Sequence, residues 1–177
     1  MPVVGVEDGS FQKGITRKAI LAAVLLRGVE IESVKVARIT VDGLDATKKL
    51  TELLNRWEFA AVLLAGVSFA GFNLIDPTVI LEKFGKPIII ISREKPDNKA
   101  VKRALKKHFK DWEIRWGVFE KLGSVFKVAT LADEPPIYVE AVGVGIKSAC
   151  NLIRALSICG RVPEPIRVAR LIARGIS

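Results

Sequence analysis

An α/β fold, a mixed sheet flanked by helices, follows from three features of the sequence. Short apolar runs at Val3 to Val6, Phe59 to Ala65 and the isoleucine-rich Pro87 to Ser92 have the length and the Gly, Pro and Ser boundaries of buried strands. Other segments carry apolar residues at helical spacing, as in Leu50, Leu53, Leu54 and Trp57, or Val101, Leu105 and Phe109. The stretch from Ile15 to Thr40, broken at Arg27-Gly28, reads as two strands of an antiparallel hairpin built onto the first strand.

Composition narrows the class. A chain of 177 residues, half of them apolar, fits one domain, 1–177, with a real core. The longest unbroken apolar run, Ala19 to Leu26, falls far short of the roughly 18 residues that a membrane span needs, so no membrane partner is expected. No secretory signal is visible at the N-terminus, and Cys150 and Cys159, expected in one helical region, have neither metal-ligand spacing nor a disulfide framework. A cytoplasmic location is expected. The formal charge of +9 favours a polyanionic partner, nucleic acid foremost, with DNA and RNA both open.

Taken in order, the first strand ends in Glu7-Asp8-Gly9, where alternation allows only one of the two acids to face a given side. Paired acids at the rim of an apolar sheet mark a place for a cation, although Asp-Gly is also an ordinary turn pair. Asp42-Gly43 reads as a turn and Asp45 as a helix N-cap. The connection Val67 to Pro77 is apolar and aromatic where a loop should be polar. It either packs under the domain or walls a pocket, with Phe69, Gly71, Phe72 and Asn73 as the lining. Asp76-Pro77 opens a short helix that Gly85 closes, and Asp97 or Asn98 opens a strongly basic one. Trp112 to Phe119 and Ser124 to Ala129 are expected as a hairpin, and Ile137 to Ala141 as a last strand carrying Glu140. Helices follow at Ile146 to Ser157 and from Pro163, the latter bearing Arg167, Arg170 and Arg174 as a stripe.

Pro136-Ile137-Tyr138-Val139 and the later Gly160-Arg161-Val162-Pro163-Glu164-Pro165-Ile166-Arg167-Val168-Ala169 resemble the closing segments of endonuclease V. Asp8-Gly9-Ser10-Phe11 is similar to that family's first-strand unit, in which the aspartate is a metal ligand. The resemblance implies a ribonuclease-H-like, endonuclease V-like mixed sheet flanked by helices, with strand one central and Asp8 and Glu140 at one end of the sheet. The pattern breaks where the chemistry would sit. Ala65 stands in place of a strand-end aspartate, the Pro-Gly-His unit is missing around Val142-Gly143-Val144, and no wedge segment precedes Asp42. In Val41 to Thr47 and Gly71 to Asn73 the chain is closer to an archaeal family of unknown activity related to endonuclease V, domain-of-unknown-function family ninety-nine.

These features support a nucleic-acid-binding protein whose ancestral two-metal centre is incomplete, using Arg161, Arg167, Arg170, Arg174, Lys102 and Lys106 as contacts. The alternative is a phosphodiesterase or nuclease with a rebuilt acidic site from Asp8, Asp42, Asp45 and Glu140, with Asp76 as a further member. Asp8, Asp42 and Glu140 would then hold magnesium or manganese weakly, since oxygen-only ligation suits those ions. A third alternative is a nucleotide or modified-base pocket walled by the Phe69 to Asn73 loop. Oligomeric state is open.

Overall fold

The computed structural model describes residues 1–177. In chain order its elements are β1 (Val3–Asp8), β2 (Lys18–Arg27), β3 (Glu30–Thr40), α1 (Ala46–Leu54), β4 (Ala61–Leu64), β5 (Ser68–Phe69), β6 (Asn73–Leu74), α2 (Pro77–Phe84), β7 (Ile88–Ser92), α3 (Asn98–His108), α4 (Trp112–Glu120), β8 (Phe126–Val128), β9 (Ile137–Val142), α5 (Ile146–Leu156) and α6 (Glu164–Gly175). A seven-stranded sheet has the order β3-β2-β1-β4-β7-β9-β8, and β5 pairs only with β6. The strands β1, β4 and β7 run parallel, while β2, β3, β9 and β8 are antiparallel to their neighbours. The middle strand is therefore β4, with β1 beside it, one step from the central place expected.

Alternation sorts the core into two layers. Val4, Val6, Leu64 and Ile90 face the side covered by α1 and α2, while Val3, Leu63, Ile89 and Val139 face α5 and α6. α6 lies directly on β1 because Gly5 has no side chain: a Cβ there would sit 2.0 Å from the Pro165 carbonyl oxygen. The expected helix signals act locally as written. Asp76 accepts from the Thr78 N–H at 2.9 Å with Pro77 in the first turn, Gly85 closes α2 at φ 62°, and Asp97 accepts from Ala100 N–H at 3.0 Å.

Three expectations are corrected. Trp112 to Phe119 is not a strand but the helix α4, and β8 pairs with β9 instead. The apolar residues at 112, 114, 116 and 118 mimic a strand, yet in the fold Ile114 is exposed and Arg115 is buried, because Arg115 is held by partners distant in sequence. Asp45 occupies the N-cap position of α1 without capping it, since its carboxylate turns back to Thr40. Cys159 lies beyond α5 and is exposed; both cysteines are free thiols.

Candidate acidic site at the carboxyl edge of the parallel strands

The parallel strands β1, β4 and β7 end at one edge of the sheet, the edge outside which α/β proteins usually gather ligands. Asp8 closes β1 on the α1 side of the sheet. Its Oδ2 accepts the Ala70 N–H at 2.6 Å. Two residues along the same loop, the Phe72 N–H donates to Asp42 Oδ1 at 2.8 Å, and the Asp42 N–H in turn donates to the Ala70 carbonyl at 2.8 Å. Amides two residues apart are at most about 7 Å from each other. The two carboxylates are therefore anchored to one short loop, each with one oxygen engaged by it and neither within ion-pair distance of a lysine or arginine.

The backbone is strained where they are anchored. Ala70 (φ 45°) and Asp42 (φ 55°) both hold left-handed conformations that non-glycine residues rarely adopt, and Gly71 lies between the two amides at φ 83°. A Cβ on Gly71 would lie 2.2 Å from Asp42 Oδ1. Asn73, fully buried, locks the neighbouring turn: its amide donates to the Thr40 carbonyl at 2.8 Å and to Asp45 Oδ1 at 2.5 Å, and its oxygen accepts the Ala46 N–H at 2.9 Å. Burial alone would raise the pKa of Asp45, but the bonds from Thr40 and Asn73 outweigh it and hold the carboxyl below its ordinary value. Asp45 is thus a brace for this turn, and Asp76 pairs with Lys121 at 2.8 Å while capping α2.

The sequence offered no signal for Arg115. Only 6 % exposed, it donates to the Gly43 and Phe72 carbonyls at 3.0 and 2.7 Å and pairs with Asp111, stapling the turn of Asp42 to the loop of Phe72. The loop packs under the domain, the first of the two alternatives, and Phe69, Gly71, Phe72 and Asn73 line no cavity. Phe69 and Ile75 are buried beneath the sheet layer, whereas Val67 and Ser68 line a cavity.

Glu140 does not join Asp8 and Asp42. It pairs with Ile90 in the middle of β9, three strands from β1, which at about 4.8 Å per strand is a separation of about 14 Å. Glu7, on the opposite face from Asp8, faces Arg93 at 3.6 Å. Burial first, then the Asp8 charge, push the Glu7 pKa up to about 7 against the pull of Arg93. Burial and the neighbouring Arg170 charge lower the pKa of Arg93.

The basic residues divide similarly. Arg161 is structural, donating to the Arg93 and Pro136 carbonyls at 3.0 Å, and Arg167 forms a two-pronged pair with buried Glu164 at 2.8 Å. Arg170 stands by Arg93, Arg174 is exposed, and Lys102 and Lys106 lie over the rings of Trp116 and Trp112 at 4.9 and 4.7 Å.

No three acidic, histidine or cysteine side chains gather in a cluster able to enclose a metal ion. The donor set fits a looser arrangement, in which a hard cation such as magnesium is held by one or two carboxylates and completed by water and phosphate oxygens. Asp8 and Asp42 are the residues suited to it.

Residues 1–177 match the model of the family described as Endonuclease dU. A UPF0215 protein of Methanosarcina acetivorans is 36% identical over 98% of this chain and 89% of its own length. A crystal structure of a protein of unknown function from Archaeoglobus fulgidus superposes with TM-score 0.86 at 28% identity, covering 99% of this chain and 97% of that one. Endonuclease V of Ciona intestinalis, in complex with a 24mer DNA containing an inosine followed by a ribo-adenosine, superposes with TM-score 0.64 at 15% identity over 95% of this chain and 82% of that one. The architecture is that of endonuclease V, a ribonuclease-H-like nuclease fold. No helix is long and apolar enough to cross a membrane.

Proposed function

The chain belongs to the Endonuclease dU family, and on that premise we propose that it is a metal-dependent DNA endonuclease acting at deoxyuridine, with Asp8 and Asp42 as the cation-holding carboxylates. The observation that carries this is the anchoring of two carboxylates, neither matched by a cationic side chain, to one strained loop at the carboxyl edge of three parallel strands. A cation placed between two such carboxylates would interact favourably with both. A bound magnesium or manganese ion would supply charge stabilisation and an activated water for phosphodiester hydrolysis.

The chain's own residues supply the rest. Asp8 and Asp42 each keep one carboxylate oxygen clear of the loop amides. Arg93 and Arg170 place positive charge just beyond β7, and Arg174, Lys102 and Lys106 are the further cations through which the strand's phosphates would be bound. Affinity then falls with rising salt by about 0.7 to 0.9 log units per log unit of salt for each phosphate neutralised. DNA is the proposed partner because the family description names deoxyuridine and the Ciona endonuclease V structure holds DNA.

One feature favours binding without hydrolysis. Ala65 cannot ligate, and its place is where the resemblance to endonuclease V calls for a strand-end aspartate. The two readings separate on oligonucleotides carrying one deoxyuridine or one deoxyinosine, incubated with magnesium and with manganese beside Asp8→Asn and Asp42→Asn proteins. Cleavage at deoxyuridine that both substitutions abolish is expected. Binding with no metal-dependent cleavage would establish the binding-only alternative.

A further inference from the structure

Against β7 and β9, on the face of the sheet that Ile90 shares with Val4 and Val6, lies a cavity of about 200 Å³ that neither Asp8 nor Asp42 lines. Val67, Ile90, Phe119 and Leu122 form its apolar walls, and Glu140 enters it from β9. Glu140 is only 6 % exposed, and its Oε2 has no hydrogen-bond partner. A buried carboxyl oxygen left unpaired is expensive and is retained where something outside the fold satisfies it. Glu140 caps no helix, joins no ion pair and lies three strands from Asp8, so neither the fold nor the acidic site accounts for it.

We propose that this cavity receives a nucleobase swung out of the DNA strand, and that Glu140 reads the amide edge of that base. The proposal rests on the reading of the chain as acting on deoxyuridine in DNA, and names the subsite for the base. Uracil presents a ring N–H beside a carbonyl. A neutral carboxyl presents the complementary pair, a carbonyl that accepts and a hydroxyl that donates, so two parallel hydrogen bonds close a ring. Burial raises the Glu140 pKa and so favours that neutral form. The size agrees as well, since an apolar cavity of roughly 150 Å³ takes up a benzene ring.

A second observation points the same way. Phe119, a wall of the cavity, stacks on Trp116 with centroids 5.6 Å apart and planes 16° apart. From there the helical hairpin of α3 and α4 continues outward as Lys102 over Trp116 and Lys106 over Trp112. Aromatic rings interleaved with cations are what an unpaired nucleic-acid strand stacks and tracks on. The hairpin leads a single strand to the mouth of the cavity, and a base entering it stacks against Phe119.

The test is binding in EDTA, so that no cleavage intervenes, read by fluorescence anisotropy on single-stranded oligonucleotides that differ at one position: deoxyuridine, deoxyadenosine, or an abasic site. The wild-type protein should prefer deoxyuridine over both by about tenfold or more, the discrimination a two-hydrogen-bond contact to a base edge provides. Glu140→Gln, whose amide offers the same donor beside an acceptor, should keep that preference, and Glu140→Leu should abolish it while thermal melts show it folded. Phe119→Ala should weaken binding to both base-bearing strands and spare the abasic one. A wild-type protein with no preference, or a Glu140→Leu protein that keeps it, would overturn the proposal. So would manganese binding that Glu140→Gln removes, since the cavity would then hold a cation, or free deoxyuridine that binds more tightly than the oligonucleotide. Asp8→Asn separates the two levels: a Glu140-dependent preference that persists in it without any cleavage by the wild type supports the base cavity and defeats the nuclease reading alone.

Discussion

Replacing Gly71 by alanine should disable the acidic site without touching an acid. At φ 83° an L side chain costs about 1 to 2 kcal/mol, and here the new Cβ would also sit 2.2 Å from Asp42 Oδ1. Relieving that contact pushes the carboxylate away and breaks its 2.8 Å bond from the Phe72 N–H, worth about 1.5 to 3 kcal/mol for a charged acceptor. The sum is a destabilisation of about 2.5 to 5 kcal/mol, which at about 2 to 4 °C per kcal/mol for a chain of this size lowers the melting temperature by on the order of 10 °C. Urea unfolding measures the first quantity and calorimetry the second. Asp42→Asn is the control, because the amide oxygen still accepts the Phe72 N–H while the charge is gone; it should cost under about 1 kcal/mol. A Gly71→Ala protein within about 0.5 kcal/mol of wild type, the range of a neutral surface change, would refute the claim that this loop is closed over Asp42.

Other substitutions test the frame around the site. Arg115→Met should cost about 2 to 4 kcal/mol in urea unfolding, since the Gly43 and Phe72 carbonyls lose their donor and Asp111 its partner. Gly5→Ala should cost about 3 kcal/mol or more, because the 2.0 Å approach of its Cβ to the Pro165 carbonyl forces α6 off β1; a soluble variant with wild-type melting would show that α6 does not seat there. Glu140→Gln should gain stability over wild type as pH rises. Burial raises the folded-state pKa of Glu140 above its ordinary 4.5, so the folded protein holds that proton more tightly, and wild-type stability falls as pH climbs from the unfolded value through the folded one. The two melting curves should converge near pH 4.5 and separate above it, and a separation that does not change with pH would contradict the burial of Glu140.

What was legible in the sequence was local. Asp76-Pro77, Gly85 and Asp97 act on backbone groups within a few residues, so their caps could be read directly and are present in the fold. The apolar strands and the closing Pro-Glu-Pro segment were equally readable, and with them the endonuclease V-like architecture. Roles that depend on partners far along the chain could not be read. Asp45 has cap chemistry, but it bonds Asn73, 28 residues away. Arg115 sits in an alternating segment that mimics a strand, and the partners that bury it, Gly43 and Phe72, lie more than 40 residues away along the chain. Glu7 and Glu140 were visible as strand acids, yet which face each took and whether they converged with Asp8 depended on sheet order, which no single strand encodes.

Manganese titration tests the central claim most directly, that Asp8 and Asp42 together form a cation site. Calorimetry on the wild-type protein and on Asp8→Asn, Asp42→Asn and Asp45→Asn should show weak binding of one ion to wild type, its loss in the first two variants and its retention in the third. Wild-type binding that survives in both Asp8→Asn and Asp42→Asn, or no binding to wild type even with an oligonucleotide present to complete the ligand shell, would contradict the account.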